Sequence, residues 1–248
     1  MDMAYKLLAL DMDGTLLTEE KTISNENKAW LKRAEEAGVT VCLSTGRGIF
    51  SIEPYLEELQ LLSPIVTVNG SEVWEAPGKL LERHEMKIDW IRELREIALK
   101  HDVWYWAYST EGVYNQGDWR EEPETATWLK FGYYIEDLDT LKQVHERVRD
   151  MDLFEITNSH PCNLEMNPPG VSKASGLQSI CRLLGLDMSQ VIAVGDSLND
   201  LAMIHEAGLG VAMGNAQESV KVAADFVTLD NEQDGVAEVV KKYIVHPS

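Results

Sequence analysis

The sequence predicts an α/β protein: a parallel sheet covered by helices on both faces, interrupted by a smaller inserted α/β unit. Three observations predict it. Short, wholly apolar runs alternate with amphipathic helical stretches near both ends of the chain. Each run stops at a polar cluster, as strands of open α/β sheets do where ligands bind. The middle is different in kind, because residues 83–168 hold 12 of the 19 aromatic residues.

Leu7-Leu8-Ala9-Leu10 is the first run and ends at Asp11, a pattern that reads as a buried parallel strand. Ser24 is a helix N-cap candidate; Trp30, Leu31, Ala34 and Ala37 follow on one face, and Gly38 stops the helix. Val39 to Leu43 is the second strand. Ile52, Tyr55, Leu56 and Leu59 give a second helical period, and Ile65 to Val68 a third strand ending at Asn69-Gly70. After the middle segment the pattern resumes. Lys173 to Leu184 is helical, with Gly185 after it. Val191 to Val194 is a strand ending at Gly195-Asp196. Leu201, Ile204 and Ala207 mark a helix stopped by Gly208. Gly210 to Met213 and Phe226 to Leu229 are short strands around a helix at Glu218 to Ala223. The expected division is therefore a discontinuous core, 1–82 and 169–248, with 83–168 inserted. The aromatics of the insert are expected mainly to build its core.

The chain has 248 residues, 22 Lys+Arg against 42 Asp+Glu, and a formal charge of −20. With 44% hydrophobic residues it has enough apolar material for a packed core, which excludes general disorder. The acidic excess excludes nucleic acid as a partner, since phosphate backbones would be repelled over most of the surface. A small phosphorylated molecule meets only its pocket and is not excluded. Cys42, Cys162 and Cys181 are odd in number and far apart, so neither a disulfide framework nor a thiolate zinc site organises the fold. No leader is legible in Met1 to Lys6, and no apolar run is long enough to span a bilayer. The expected setting is cytoplasmic, with no membrane partner. Oligomeric state is left open. His84, His101, His145, His160, His205 and His246 show no metal-ligand spacing and carry no expected role.

The sharpest chemical signal is Asp11-Met12-Asp13-Gly14-Thr15-Leu16-Leu17, directly after the first strand. A carboxylate there can attack phosphorus and form an aspartyl phosphate. A second carboxylate two residues on can protonate the leaving oxygen and then deprotonate the attacking water. Gly14 permits a tight backbone path. A dianionic phosphate beside a carboxylate requires compensating charge, because each unit pair at 4 Å is worth about 4 kcal/mol at an effective dielectric of 20. Gly195-Asp196-Ser197-Leu198-Asn199-Asp200, also at a strand end, offers oxygen ligands to a hard cation such as Mg²⁺. Lys173 offers a second cation, at a helix start where the dipole disfavours it. Ser44-Thr45-Gly46-Arg47 closes the second strand with hydroxyl and N–H groups suited to phosphate oxygens. No Gly-x-x-x-x-Gly-Lys-Ser/Thr loop and no Gly-x-Ser-x-Gly elbow is present.

These pieces, in this order, resemble the haloacid dehalogenase superfamily of phosphohydrolases, most closely its Cof-type subfamily with a type IIB cap. Val68-Asn69-Gly70 and Ala212-Met213-Gly214-Asn215-Ala216 extend the resemblance. It implies a Rossmann-like core with a mobile α/β cap domain, and a Mg²⁺-dependent phosphatase acting on small phosphorylated metabolites such as sugar phosphates. By resemblance, Asp11 is nucleophile and metal ligand, and Asp13 is general acid/base with its carbonyl on the metal. Asp196 is the third metal ligand. Met12 (through its N–H), Thr45, Gly46, Lys173 and Asn199 hold the phosphoryl group, and Asp200 orients the loop or Lys173. Ser44 stands where the family usually has a small apolar residue, so Thr45 is the expected contact. The residues that choose the substrate are expected among the cap's Tyr and Trp residues and near Asn69 and Arg47, which support the site. Two other classes share the architecture. A phosphomutase ranks lower because the resembling mutases lack Thr-Gly-Arg, present here as Thr45-Gly46-Arg47. A non-enzymatic binding module would have lost a catalytic group, and Asp11, Asp13, Lys173 and Asp196 are all present.

Overall fold

The computed structural model describes residues 5–245. Residues 1–4, part of the stretch in which no leader is legible, and His246, for which no role is expected, lie outside the described residues. The chain begins with β1 (Leu7–Leu10), α1 (Asn25–Glu36), β2 (Thr40–Leu43), α2 (Ile49–Leu59), β3 (Ile65–Thr67), β4 (Glu72–Ala76) and β5 (Lys79–Arg83). It continues through α3 (Ile88–His101), β6 (Trp104–Ser109), β7 (Val113–Asn115), β8 (Trp128–Tyr134), α4 (Leu138–Arg149), β9 (Glu155–Thr157) and β10 (Asn163–Asn167). It ends with α5 (Lys173–Leu184), β11 (Val191–Gly195), α6 (Leu201–Glu206), β12 (Leu209–Ala212), α7 (Glu218–Ala223), β13 (Phe226–Val227) and α8 (Gly235–Tyr243).

Strands without polar residues must be buried on both sides, and the central sheet meets that demand. Its order is β13-β12-β11-β1-β2, all parallel. Alternation divides each strand between two cores. Leu8, Leu10, Val41, Leu43, Ile192 and Val194 pack with α1, α2 and α8 on one face. Leu7, Ala9, Cys42, Val191 and Ala193 pack with α5 and α6 on the other. The helices end where their caps dictate. Ser24 accepts from Asn27 N–H at the start of α1. Ser172 and Ser175 form a reciprocal capping box at the start of α5, and Gly185 closes it in the left-handed region.

β3 departs from the expected pattern. It touches the parallel sheet through one bridge, Ser44 to Val66, then pairs antiparallel with β4, which pairs with β5. The reason is local: Val68 and Asn69 both take positive φ, 50° and 56°, so the chain reverses right after Thr67. The β4–β5 hairpin has no counterpart in the strand pattern, although Pro77-Gly78, with Gly78 at φ +77°, marks its turn.

Between Met86 and Asn167 the chain builds a second sheet, order β7-β6-β8-β10-β9, antiparallel throughout. Alternation again sorts the side chains. Tyr105, Ala107, Phe131, Tyr133, Leu164 and Met166 pack against α3 and α4. The intervening positions, among them Trp106, Tyr108, Lys130 and Glu165, take the opposite face. Among the described residues no helix is long and apolar enough to cross a membrane.

Leu10 is fully buried on an interior strand of the central sheet. Leu10→Ala is expected to lower stability by about 2–5 kcal/mol, from lost burial plus the residual cavity. Denaturant titration reads this directly; a change below 1 kcal/mol would contradict the packing described.

Candidate active site

The carboxyl ends of β1, β2 and β11 converge because the strands are in register. Leu10 pairs with both Leu43 and Val194. Asp11 N–H donates to Val194 O at 3.0 Å, and Ser44 N–H to Leu10 O at 2.8 Å. The residues that follow, Asp11, Ser44 and Asp196, therefore emerge side by side.

Asp11, Asp196 and Asp200 form a cluster in which one carboxylate oxygen from each lies within 4.8 Å of the others. Lys173, the first residue of α5, is completely buried and reaches into it. Its Nζ donates to Asp11 Oδ1 and to Asp200 Oδ1, each at 2.6 Å. The second oxygen of Asp200 accepts from Asp196 N–H at 2.9 Å and Ser197 N–H at 3.0 Å, so Asp200 ties the loop and Lys173 together. Gly14 makes the approach of Asp196 feasible. Its φ is +78°, and a Cβ there would lie 2.6 Å from Asp196 Oδ2.

The cluster is short of positive charge. Burial, then the neighbouring carboxylates, pushes Asp11 well above the usual carboxylate range, with Lys173 opposing. Burial and the charge of Asp200 raise Asp196 from the ordinary 3.8 to about 7. Burial alone would lower Lys173, but Asp11 and Asp200 outweigh it and hold the ammonium charged. Three carboxylates around one ammonium leave two formal negative charges. A divalent cation suits this donor set of hard oxygens. Asp200 spends one oxygen on the Lys173 ammonium and the other on two backbone N–H groups. Asp196 accepts only from the hydroxyls of Ser197 at 2.9 Å and Thr15 at 3.5 Å, and Asp11 gives Lys173 one of its two oxygens. Asp11 and Asp196 are therefore the carboxylates better placed to turn to such a cation.

Asp13 faces another way. Arg47 donates to both its oxygens, Nε to Oδ2 at 2.6 Å and a terminal nitrogen to Oδ1 at 2.7 Å, while Lys21 Nζ reaches Oδ1 at 2.8 Å. Burial works to raise its pKa, but these hydrogen bonds prevail and lower it to about 2.

The remaining expected residues are placed as follows. The Met12 side chain lies in the core, and among the described residues its N–H has no partner. Thr45 is buried and lines the cavity, as does Gly46. Ser44 is buried with its hydroxyl unpartnered, in keeping with an apolar slot. Asn199 lines the cavity, and its Nδ2 donates to Asn69 Oδ1 at 3.2 Å while its own Oδ1 is buried without a partner. Asn69 is buried behind the cavity. Its Nδ2 donates to Glu165 Oε2 at 2.8 Å and to Asn167 Oδ1 at 3.3 Å. The left-handed pair Val68-Asn69 that presents it stores strain, about 1–3 kcal/mol per residue.

The cavity holds about 370 Å³ and, besides two of the expected aromatics of the inserted segment, has walls that the motifs did not reveal. Trp106, Tyr108, Lys130, Asn163 and Glu165 close it from the second sheet and Ser159 from the loop between β9 and β10, and Lys21 and Ser197 line it from the first unit. Lys130 and Glu165 form an ion pair at 2.9 Å, each side chain 3% exposed. A signal existed: each is a lone charge inside an otherwise apolar or amide-flanked strand, where charged residues are rarely tolerated without a partner.

The chain matches the family model described as haloacid dehalogenase-like hydrolase, over residues 8–144 and 115–240. It is similar to the 5-amino-6-(5-phospho-D-ribitylamino)uracil phosphatase YcsE of Bacillus subtilis (44% identity, covering 98% of each chain). It is also similar to the pyridoxal phosphate phosphatase YbhA of Escherichia coli (30% identity, covering 98% of this chain and 100% of the other). A crystal structure of a haloacid dehalogenase-like hydrolase from Bacteroides thetaiotaomicron superposes with a TM-score of 0.80 at 32% identity, over 96% of this chain and 99% of that one.

Asp196, raised to about 7, favours the fold most when protonated, so its contribution is present at acidic pH and lost as pH rises through about 7. In the absence of divalent cation, stability is expected to fall from about pH 5 to about pH 8 through this group. A divalent cation competes with those protons and is expected to stabilise more at the higher pH, by about 2.7 kcal/mol at a hundredfold excess over Kd. Melting temperatures with and without cation at both pH values check this; an equal gain at both would contradict it.

Proposed function

The chain belongs to the haloacid dehalogenase-like hydrolases, Cof-type, and from that premise we propose that it hydrolyses phosphate monoesters of small metabolites through a phosphorylated Asp11. The observation that carries this reading is the pairing of Asp11 with buried Lys173 at the cavity floor, beside Asp13 and the 45–47 turn.

An oxygen of Asp11 attacks phosphorus while the ester P–O bond breaks. The leaving alkoxide takes its proton from Asp13. Asp13, now a carboxylate, removes a proton from water. That water attacks phosphorus, the bond to Asp11 breaks, and inorganic phosphate leaves. Lys173 neutralises charge and fixes Asp11. Thr45, the N–H groups of Met12 and Gly46, and Asn199 receive the phosphoryl oxygens. For the first step Asp13 must carry a proton, which its present bonds to Arg47 and Lys21 disfavour. Both cations therefore turn from Asp13 toward the substrate when it enters. Mg²⁺ would be held by Asp11, Asp196 and the carbonyl of Asp13, and when bound it supplies the positive charge that the acid cluster lacks.

The segment 83–168 acts as a lid that keeps water away in the first step and admits it for the second. Its wall supports a substrate class. Trp106 and Tyr108 offer flat apolar surface, and Ser159 and Asn163 offer hydrogen bonds. That combination suits a phosphorylated polyol carrying a planar ring, the chemistry named for the Bacillus subtilis relative. The three cysteines are free, which supports a reducing, cytoplasmic setting.

Asp11→Asn is expected to lower phosphate release from p-nitrophenyl phosphate at least about a thousandfold. Asp13→Asn is expected to lower kcat by about 10²–10⁴, more for a sugar phosphate than for the good leaving group p-nitrophenolate, which needs no proton. Phosphate release by Asp11→Asn at the wild-type rate would end the nucleophile assignment.

A further inference from the structure

The three successive carbonyl oxygens of the 45–47 turn are each taken by a donor outside the turn. Asn69 N–H donates to Thr45 O at 3.0 Å and Val68 N–H to Arg47 O at 2.9 Å. The middle one, Gly46 O, accepts from Lys130 Nζ at 2.9 Å. Two of these donors are backbone groups of the first unit. The third is a side chain from β8, on the other side of the cavity.

Peptide planarity carries this contact into the site. Fixing Gly46 O fixes the opposite end of the same peptide, Arg47 N–H. That N–H donates to Thr45 Oγ1 at 3.2 Å. With its lone pair so engaged, the Thr45 hydroxyl has its proton free to donate into the cavity. Among the described residues, Gly46 N–H has no partner and is likewise available. Lys130 is held for this task. Glu165 accepts from it at 2.9 Å, and the Tyr108 ring lies 4.7 Å from its ammonium. Glu165 is itself held by Asn69 and Ser159. A lysine–glutamate pair this buried gains little stability over apolar residues of the same shape. Its presence therefore needs another reason, and the contact with Gly46 O provides one.

We propose that Lys130 is a positioning residue: carried by the lid, it locks the Gly46–Arg47 peptide and thereby aims the Thr45 hydroxyl and the Gly46 N–H at the phosphoryl group. Closing the lid and completing the phosphate site are then one event. The inference rests on the phosphatase reading above, and it differs from a role for Lys130 in gripping the leaving group.

Inorganic phosphate separates the two roles because it has no leaving group. In Lys130→Met, the inhibition constant of inorganic phosphate is expected to rise about ten- to a hundredfold, the range for losing a hydrogen bond to a charged group. kcat/KM should fall by a similar factor for acetyl phosphate and for a bulkier sugar phosphate alike. Unchanged inhibition by phosphate, with loss confined to the bulkier ester, would overturn the proposal. Lys130→Met leaves Glu165 buried without its cation, so the double variant Lys130→Met/Glu165→Gln removes both charges. It should fold and keep the phosphate defect; restored phosphate affinity there would trace the defect to the stranded carboxylate and also overturn the proposal. If the wild-type chain binds inorganic phosphate by calorimetry but releases none from any ester, the phosphatase reading fails, and the same variants read by calorimetry still decide the role of Lys130.

Discussion

Three carboxylates share one buried floor with a single ammonium, and most of the surrounding structure answers that crowding. Sheet geometry creates it: β1 and β11 are neighbours, Leu10 pairs with Val194, and Asp11 and Asp196 follow at adjacent strand ends. At an effective dielectric of 20, each like-charge pair at 4 Å opposes folding by about 4 kcal/mol. Lys173 offsets part of this from full burial. Asp200 contributes to the repulsion, yet its two oxygens hold Lys173 and two loop N–H groups, so removing it would loosen both. Gly14 permits the close approach, since any side chain there would collide with Asp196. What remains uncompensated is negative charge, which a divalent cation held by these oxygens would offset.

Asp13 sits outside that crowd, and its surroundings reverse the logic. Two cations grip it and hold it ionised. Lys21 does so from a left-handed backbone conformation, φ 60°, with Tyr55 Oη donating to its carbonyl. A residue in that conformation persists only where its neighbours fix it. Two carboxylates two residues apart thus have their pKa values driven in opposite directions, one by burial among acids and one by cations. Groups pushed apart in this way are suited to different chemical tasks.

The two units divide the labour. The groups proposed to react, Asp11 and Asp13, come from the parallel-sheet unit, directly after β1. The second sheet presents one face to the cavity, with aromatic, amide and charged side chains alternating against a mainly hydrophobic opposite face. An antiparallel face of this kind can change its side chains without disturbing the core behind it, so the cavity wall can vary while the acidic cluster stays the same.

Much of this was legible in the chain. The apolar runs marked β1, β2, β11 and β12, because strands buried on both faces leave an unmistakable pattern. Asp11, Asp13, Asp196, Asp200 and Lys173 stood out because their chemistry and their positions at element ends are local properties. The reversal after Thr67 was not legible, since left-handed conformations at Val68 and Asn69 are imposed by their surroundings and not favoured by valine itself. Nor was the pairing of Lys130 with Glu165, 35 residues apart, or the grip of Arg47 and Lys21 on Asp13. By itself the sequence determined which groups could react and which segments would form the buried parallel strands, because both depend on residue type and short-range periodicity. Only the tertiary structure decided which cation meets which carboxylate, and so which acid is held ionised and which is pushed toward protonation, because charge interactions depend on distance and burial that no local pattern encodes.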